Sequence, residues 1–151
     1  MIGSKQLVGY TISEIKARIA RGEVMTKAEE FDQAWRLAFK ENDFSLVDEI
    51  YHPEYSAPDL TTGITVNLDD DKIIVSTLNQ QNTIGYFRLL FENDNFVCLH
   101  RFFRSAREEI YWSSMTAINY KEGKVFRQET VSEPLDYDPS EGQDWNWEDY
   151  E

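Results

Sequence analysis

The sequence predicts an α+β domain in which helices cover one face of a curved antiparallel sheet. Apolar residues at helical spacing are concentrated in the first half of the chain, and period-two alternation in the second. Two turn signals, Asn93-Asp94-Asn95 and Glu122-Gly123, fold the second half into successive hairpins. With 151 residues, 41% hydrophobic and 14% aromatic, one domain with a substantial core is expected.

Residues 1–25 read as an N-terminal helical extension. Its short helix spans Ser13 to Arg21, with Ile12, Ile15 and Ile19 on one side and Gly22 at the end. Arg21-Gly22-Glu23-Val24 before Met25 would have purine-rich codons that can double as a ribosome-binding site, so Met25 is a candidate start. The first long helix runs from Lys27 to Glu41. Thr26 and Glu29 form a capping box, Phe31, Ala34, Trp35, Ala38 and Phe39 make an apolar stripe, and Asn42-Asp43 breaks it. A shorter helix, Ser45 to Tyr51, turns Leu46, Val47 and Ile50 inward and is stopped by Pro53.

Tyr55–Asp59 reads as extended, Thr61-Thr62-Gly63 as a turn and residues 64–68 as a strand. Asp70–Gln80 combines an acidic helix start with a strand-favouring Ile73-Ile74-Val75, and is assigned as a helix. The hairpin Gly85–Arg104 follows. Simple alternation places Phe87, Leu89, Phe91, Phe96, Cys98, His100 and Phe102 on one apolar face, taken as the inner one. Tyr86, Arg88, Leu90, Val97, Leu99, Arg101 and Phe103 fall on the other, where cross-strand ion pairs account for the arginines. After a polar loop at 105–109, Ile110–Tyr120 and Lys124–Ser132 make a second hairpin, and Pro134 ends the sheet.

The net charge of −13 argues against a nucleic-acid partner or an anionic membrane surface. Residues 133–151 hold eight acidic side chains and no Lys or Arg, yet also Trp145, Trp147 and Tyr150. A disordered acidic tail seldom carries such aromatics, so residues 135–151 are expected to dock on the body. Cys98 is the single cysteine, which excludes an internal disulfide and a cysteine metal site. No metal-ligand set, cofactor or phosphate-loop motif stands out, and no membrane span or signal core is present, which makes the cytoplasm the default location.

The run FDQAWRLAFKENDFSLVDEIYHPEYSAPD at 31–59, with the two terminal hairpins ending in KEGKVFRQETVSEP, resembles the nuclear transport factor 2-like superfamily, nearest its SnoaL-like and ketosteroid-isomerase-like branches. The resemblance covers residues 26–134. It implies a cone, a strongly bent antiparallel sheet around about three helices, with a pocket open at one end. It also implies a homodimer and a small, largely apolar molecule as partner.

For ketosteroid isomerases the resemblance sets Asp59 at the place of the general base, where desolvation would raise its pKa; capping of the turn is the other reading. Trp35 stands where the family has an oxyanion-hole Tyr, and Met115 or Thr116 where it has a protonated Asp, so that chemistry itself is not expected. His100 is the second acid/base candidate, against a neutral core histidine. The expected ligand wall comprises Trp35, Phe39, Tyr55, Phe87, Phe102 and Met115. Two functions stay open: an acid/base isomerase, cyclase or dehydratase using Asp59 and His100, or a non-catalytic ligand-binding or protein-interaction module.

Overall fold

The computed structural model describes residues 11–60, 62–78, 81–105 and 108–151. The first ten residues of the N-terminal extension, Thr61 of the expected turn, Asn79 and Gln80 at the expected helix end, and Ala106 and Arg107 of the polar loop lie outside these. Helices α1 (Ile12–Ala20), α2 (Lys27–Glu41) and α3 (Ser45–Ile50) come first. Strands β1 (Tyr51–Pro58) and β2 (Thr65–Val66) precede α4 (Leu68–Leu78), and β3 (Asn82–Glu92), β4 (Phe96–Ser105), β5 (Tyr111–Lys121) and β6 (Lys124–Leu135) complete the sheet. Its order is β2-β1-β6-β5-β4-β3, antiparallel except where β1 runs parallel to β6.

Local chemistry explains the helix limits. Thr26 Oγ1 accepts from the Glu29 amide at 3.1 Å, and the Thr26 amide donates to Glu29 Oε1 at 3.2 Å. Thr11 and Glu14 repeat the device at the start of α1. Asn42 ends α2 in the left-handed region at φ 55°, which its short polar side chain tolerates. The stripe of α2 then buries Phe31, Ala34, Trp35 and Ala38 against Tyr51, Tyr55, Phe87, Val97, Leu99, Ile118 and Val125 of the sheet. Each large apolar side chain removed from water contributes about 1.5–3 kcal/mol.

The region 64–78 resolves toward helix. Only Thr65–Val66 pairs with β1, and α4 begins at Leu68, with Asn67 and Asp70 exchanging amide-to-side-chain hydrogen bonds at its start. The sheet does not end at Pro134. That residue pairs in register with Trp112 inside β6. The β1 pairing of β6 reaches only Arg127, so beyond it the missing N–H of Pro134 lies on an unpaired edge. The β5–β6 hairpin turns on Glu122 and Gly123, both at positive φ (55° and 77°), as a two-residue connection requires.

The β3–β4 hairpin departs from simple alternation. Leu89 pairs with Leu99, whereas Phe91 pairs with Cys98, so Leu90 is an extra residue in β3. This bulge reverses the facing of everything before it. Phe87 and Leu89 therefore share the inner face with Val97, Leu99, Arg101 and Phe103, while Phe91, Cys98, His100 and Phe102 lie on the outer face. A second register shift between Ile84 and Phe87 turns Ile84 inward and Tyr86 outward. Arg88 and Arg101 are consequently on opposite faces, not neighbours in one surface ion-pair set.

The tail crosses the outer face. Trp145 stacks on Tyr86 and Phe102 at centroid distances of 5.6 and 5.9 Å, and Trp147 meets Tyr111 at 5.9 Å. Burial pushes the Asp138 carboxyl up, but its Oδ1 accepts from the Trp147 indole at 2.9 Å and from the amide and hydroxyl of Ser140, and these bonds together hold it below the usual range. The 3-10 turn Trp147–Tyr150 packs against β3, the edge strand of the sheet. No helix among the described residues is long and apolar enough to cross a membrane.

Candidate functional site

Between the inner face of the sheet, α2 and α4 lies an open cavity of about 460 Å³, a volume suited to a small organic ligand. One wall is apolar and aromatic: Phe31, Trp35 and Phe39 from α2, Ile74, Val75 and Leu78 from α4, and Ile84, Phe103 and Trp112 from the sheet. The opposite wall is a ladder of small polar groups on β5 and β6. Thr116 and Thr130 are a register pair with hydroxyls 3.0 Å apart, and the Ser132 hydroxyl donates to Ser114 at 3.1 Å. Gln128 completes this wall.

Among the described residues, two ionisable groups reach the cavity, Asp71 and Arg101. Asp71 sits in the first turn of α4, on the same helical stripe as Val75 and Leu78, and that spacing turns it inward. Burial pushes its carboxyl up from 3.8 to about 6. A hydrogen bond from the Tyr55 hydroxyl to Oδ2 at 3.0 Å opposes the rise, and neighbouring Asp70 adds to it. Tyr55 in turn packs edge-on against Tyr51 at 4.7 Å. The Tyr51 hydroxyl accepts from the Trp35 indole at 3.0 Å and donates to Gln128 Oε1 at 2.6 Å. Because that bond occupies the amide oxygen, it presents the Gln128 NH₂ group as a donor.

Arg101 is 6% exposed. Its guanidinium lies over the rings of Phe31 (5.2 Å) and Phe103 (5.9 Å), and its Nη1 donates to Asp32 Oδ1 at 3.3 Å. Burial lowers its pKa to about 10, with Asp32 opposing, so it stays cationic at neutral pH. Asp32, 1% exposed, also accepts from Arg36 Nε at 2.8 Å. Arg36 spends its remaining groups on the carbonyls of Ile84 and Gly85, both at 2.6 Å, beside the second register shift.

Neither a scan against family models nor a search of curated proteins finds a match. Solved structures do match. A steroid delta-isomerase from Pseudomonas aeruginosa superposes with a TM-score of 0.52 at 15% identity, covering 80% of each chain. A Catenulispora acidiphila protein with a ketosteroid isomerase-like fold, in complex with trimethylamine, gives 0.52 at 10% identity over 76% of this chain and 89% of its own. IdmH from Streptomyces antibioticus, a candidate polyketide cyclase, gives 0.56 at 10% identity over 72% of this chain and 93% of its own.

The fold is nuclear transport factor 2-like.

Within this nuclear transport factor 2-like cone, the residues singled out from sequence divide. Trp35 and Phe39 line the cavity. Tyr55 and Phe87 are buried in the core beneath it, Tyr55 reaching the cavity through Asp71. Phe102 and Met115 are on the outer face, Phe102 under Trp145 and Met115 opposite His100, so neither has the inward facing expected of it. Of the two β5 neighbours, Thr116 and not Met115 turns inward.

His100 is outside the cavity as well. Its Nε2 is 2.6 Å from the Ser113 hydroxyl, its ring meets Phe102 edge-on at 4.6 Å, and burial, with Arg88 beside it, lowers its pKa. Asp59 closes the turn after β1: its Oδ1 accepts from the Thr62 amide at 3.3 Å and its carbonyl from the Gly63 amide at 2.8 Å. The fold does not bring Asp59 and His100 together around the cavity. The other histidine, His52, accepts from the Glu54 amide at Nδ1 and packs on Phe126, away from the cavity. Asp71 and Arg101 were missed. For Asp71 the signal was its i, i+4, i+7 relation to Val75 and Leu78; for Arg101 the unrecognised bulge hid it. Among the described residues, no group of His, Cys, Asp or Glu is arranged to hold a metal ion.

Proposed function

We propose that the cavity binds a small molecule with an apolar body and an oxygenated edge, and that Asp71 moves a proton on it. One observation carries this reading: the Asp71 carboxyl, its pKa raised by burial to about 6, lines an otherwise apolar helical wall of the same cavity as the hydroxyl and amide groups of β5 and β6. At neutral pH Asp71 is largely ionised and can accept a proton from carbon beside a carbonyl. The C–H bond breaks, its electron pair moves onto the carbonyl oxygen as an enolate, and the new acid returns the proton at the same or a neighbouring atom. The Gln128 NH₂ and the Thr116 hydroxyl would stabilise the oxygen that gains charge. The names of the structural neighbours, an isomerase and a candidate cyclase, agree with such chemistry.

The test is solvent deuterium incorporation at the α-carbon of a bicyclic ketone such as 2-tetralone, followed by NMR. Wild type should accelerate exchange, and Asp71→Asn should lose about 10²–10⁴-fold of that rate. Equal rates in the two proteins would overturn the role of Asp71. Binding of the ketone without exchange in wild type would favour a pure ligand-binding module. The homodimer implied by the resemblance belongs to the same proposal. Met115 (41% exposed) and Val131 (55%) form a cross-strand apolar pair on the outer face, to be tested by light scattering coupled to gel filtration.

A further inference from the structure

The buried charges beside the cavity do not balance. Asp32 carries one negative charge and is bonded by two arginines, Arg36 and Arg101. Each of the three Arg36 guanidinium nitrogens is bonded, to Asp32 and to the carbonyls of Ile84 and Gly85. Arg101 gives Asp32 a single, long hydrogen bond at 3.3 Å, and its side chain lines the cavity. Among the described residues Asp32 is the carboxylate ion-paired with Arg101, whereas Asp71 takes its hydrogen bond from the Tyr55 hydroxyl. Buried arginines are ordinarily paired, because an uncompensated charge in low dielectric is costly. Here a positive charge stands over the rings of Phe31 and Phe103 at the cavity wall.

We infer that Arg101 is an anion subsite and that the natural ligand is an apolar-bodied small acid, a carboxylate whose charge completes the Asp32–Arg36–Arg101 set. This rests on the cavity being the ligand site, as proposed above. Ser114 is the register partner of Arg101 on β5, and its oxygen already accepts from Ser132. Its own O–H is thereby left to donate toward the same carboxylate. A guanidinium with N–H groups free and an adjacent hydroxyl offers two converging donors, the geometry that carboxylates take up well. The ligand's acidic end is then at Arg101 and its reacting carbon at Asp71, both of which line the cavity.

The experiment compares 2-naphthoate with its neutral isostere 2-naphthamide by calorimetry at pH 7.5, with competition to confirm one shared site. Wild type should prefer the carboxylate by about tenfold or more, and Arg101→Met should abolish the preference while retaining the amide. The substitution leaves Asp32 and Arg36 as a balanced pair, which favours folding. Should that variant not fold, the wild-type ratio decides alone. Equal affinity for the two probes overturns the anion subsite while leaving the cavity reading intact. A preference that survives in Arg101→Met overturns the assignment to Arg101. Binding of neither probe overturns both this inference and the cavity reading.

Discussion

The ring of Trp147 fills the space that a side chain on Gly85 would need. A Cβ at residue 85 would stand 2.4 Å from Cζ3 of that indole and 3.0 Å from two further ring atoms. The indole cannot easily retreat, since its N–H is fixed on Asp138 and Tyr111, Trp145 and Arg104 pack around it. The tail and the edge strand are therefore fitted to one another through a missing methyl group.

Gly85→Ala should displace the tail while leaving the cone folded. Overpacking of this kind costs about 1–3 kcal/mol. The expected signs are red-shifted tryptophan fluorescence and faster proteolysis after residue 135, with the far-ultraviolet dichroism of the sheet retained. An unchanged emission spectrum would show that the ring can move aside at no cost.

Asp71 should make stability depend on pH. Its folded pKa of about 6 lies above the ordinary 3.8, so the folded state holds the proton more tightly. The contribution is complete below about pH 4, is lost as pH rises through 6, and leaves an ionised carboxylate in the folded state above that. The shift corresponds to about 2–3 kcal/mol, trimmed to about 1–2 by partial contact with solvent. Asp71→Asn, whose amide oxygen can still accept from Tyr55, should thus be the more stable protein at pH 8. That advantage should fade toward pH 4 in urea titrations. A variant gain independent of pH would remove the carboxyl from this role.

Tyr51→Phe should destabilise by about 1–3 kcal/mol, because it strands the buried Trp35 indole N–H and frees the Gln128 amide to reorient. The same variant should weaken ketone exchange more than it weakens binding of an apolar probe. Parallel losses in both would mean that Tyr51 acts only through packing.

Asp32→Asn should be among the most damaging single changes, on the order of 3–5 kcal/mol, since two buried guanidinium groups lose their shared counter-charge. Guanidinium chloride is a salt and masks such effects, so urea is the denaturant to use. Partial recovery by added 2-naphthoate would accord with an anion replacing the lost charge beside Arg101.

The helices were legible from sequence because their determinants are local: the Thr26–Glu29 box, the Phe31-to-Phe39 stripe and the Asn42 break are all within a few residues of what they control. The two hairpin turns and the overall order of elements were legible for the same reason. The cavity was only half legible. Trp35 and Phe39 follow from the stripe of α2, but the facing of the β3–β4 hairpin depends on one extra residue at Leu90, a choice made by pairing with β4 and β5 that no alternation pattern records. That single bulge exchanges His100 for Arg101 at the ligand surface. The sequence by itself determined a nuclear transport factor 2-like α+β domain with an aromatic inner wall. Only the tertiary structure decided which ionisable groups face the cavity, because register is a long-range property and a slip of one residue reverses every side chain beyond it.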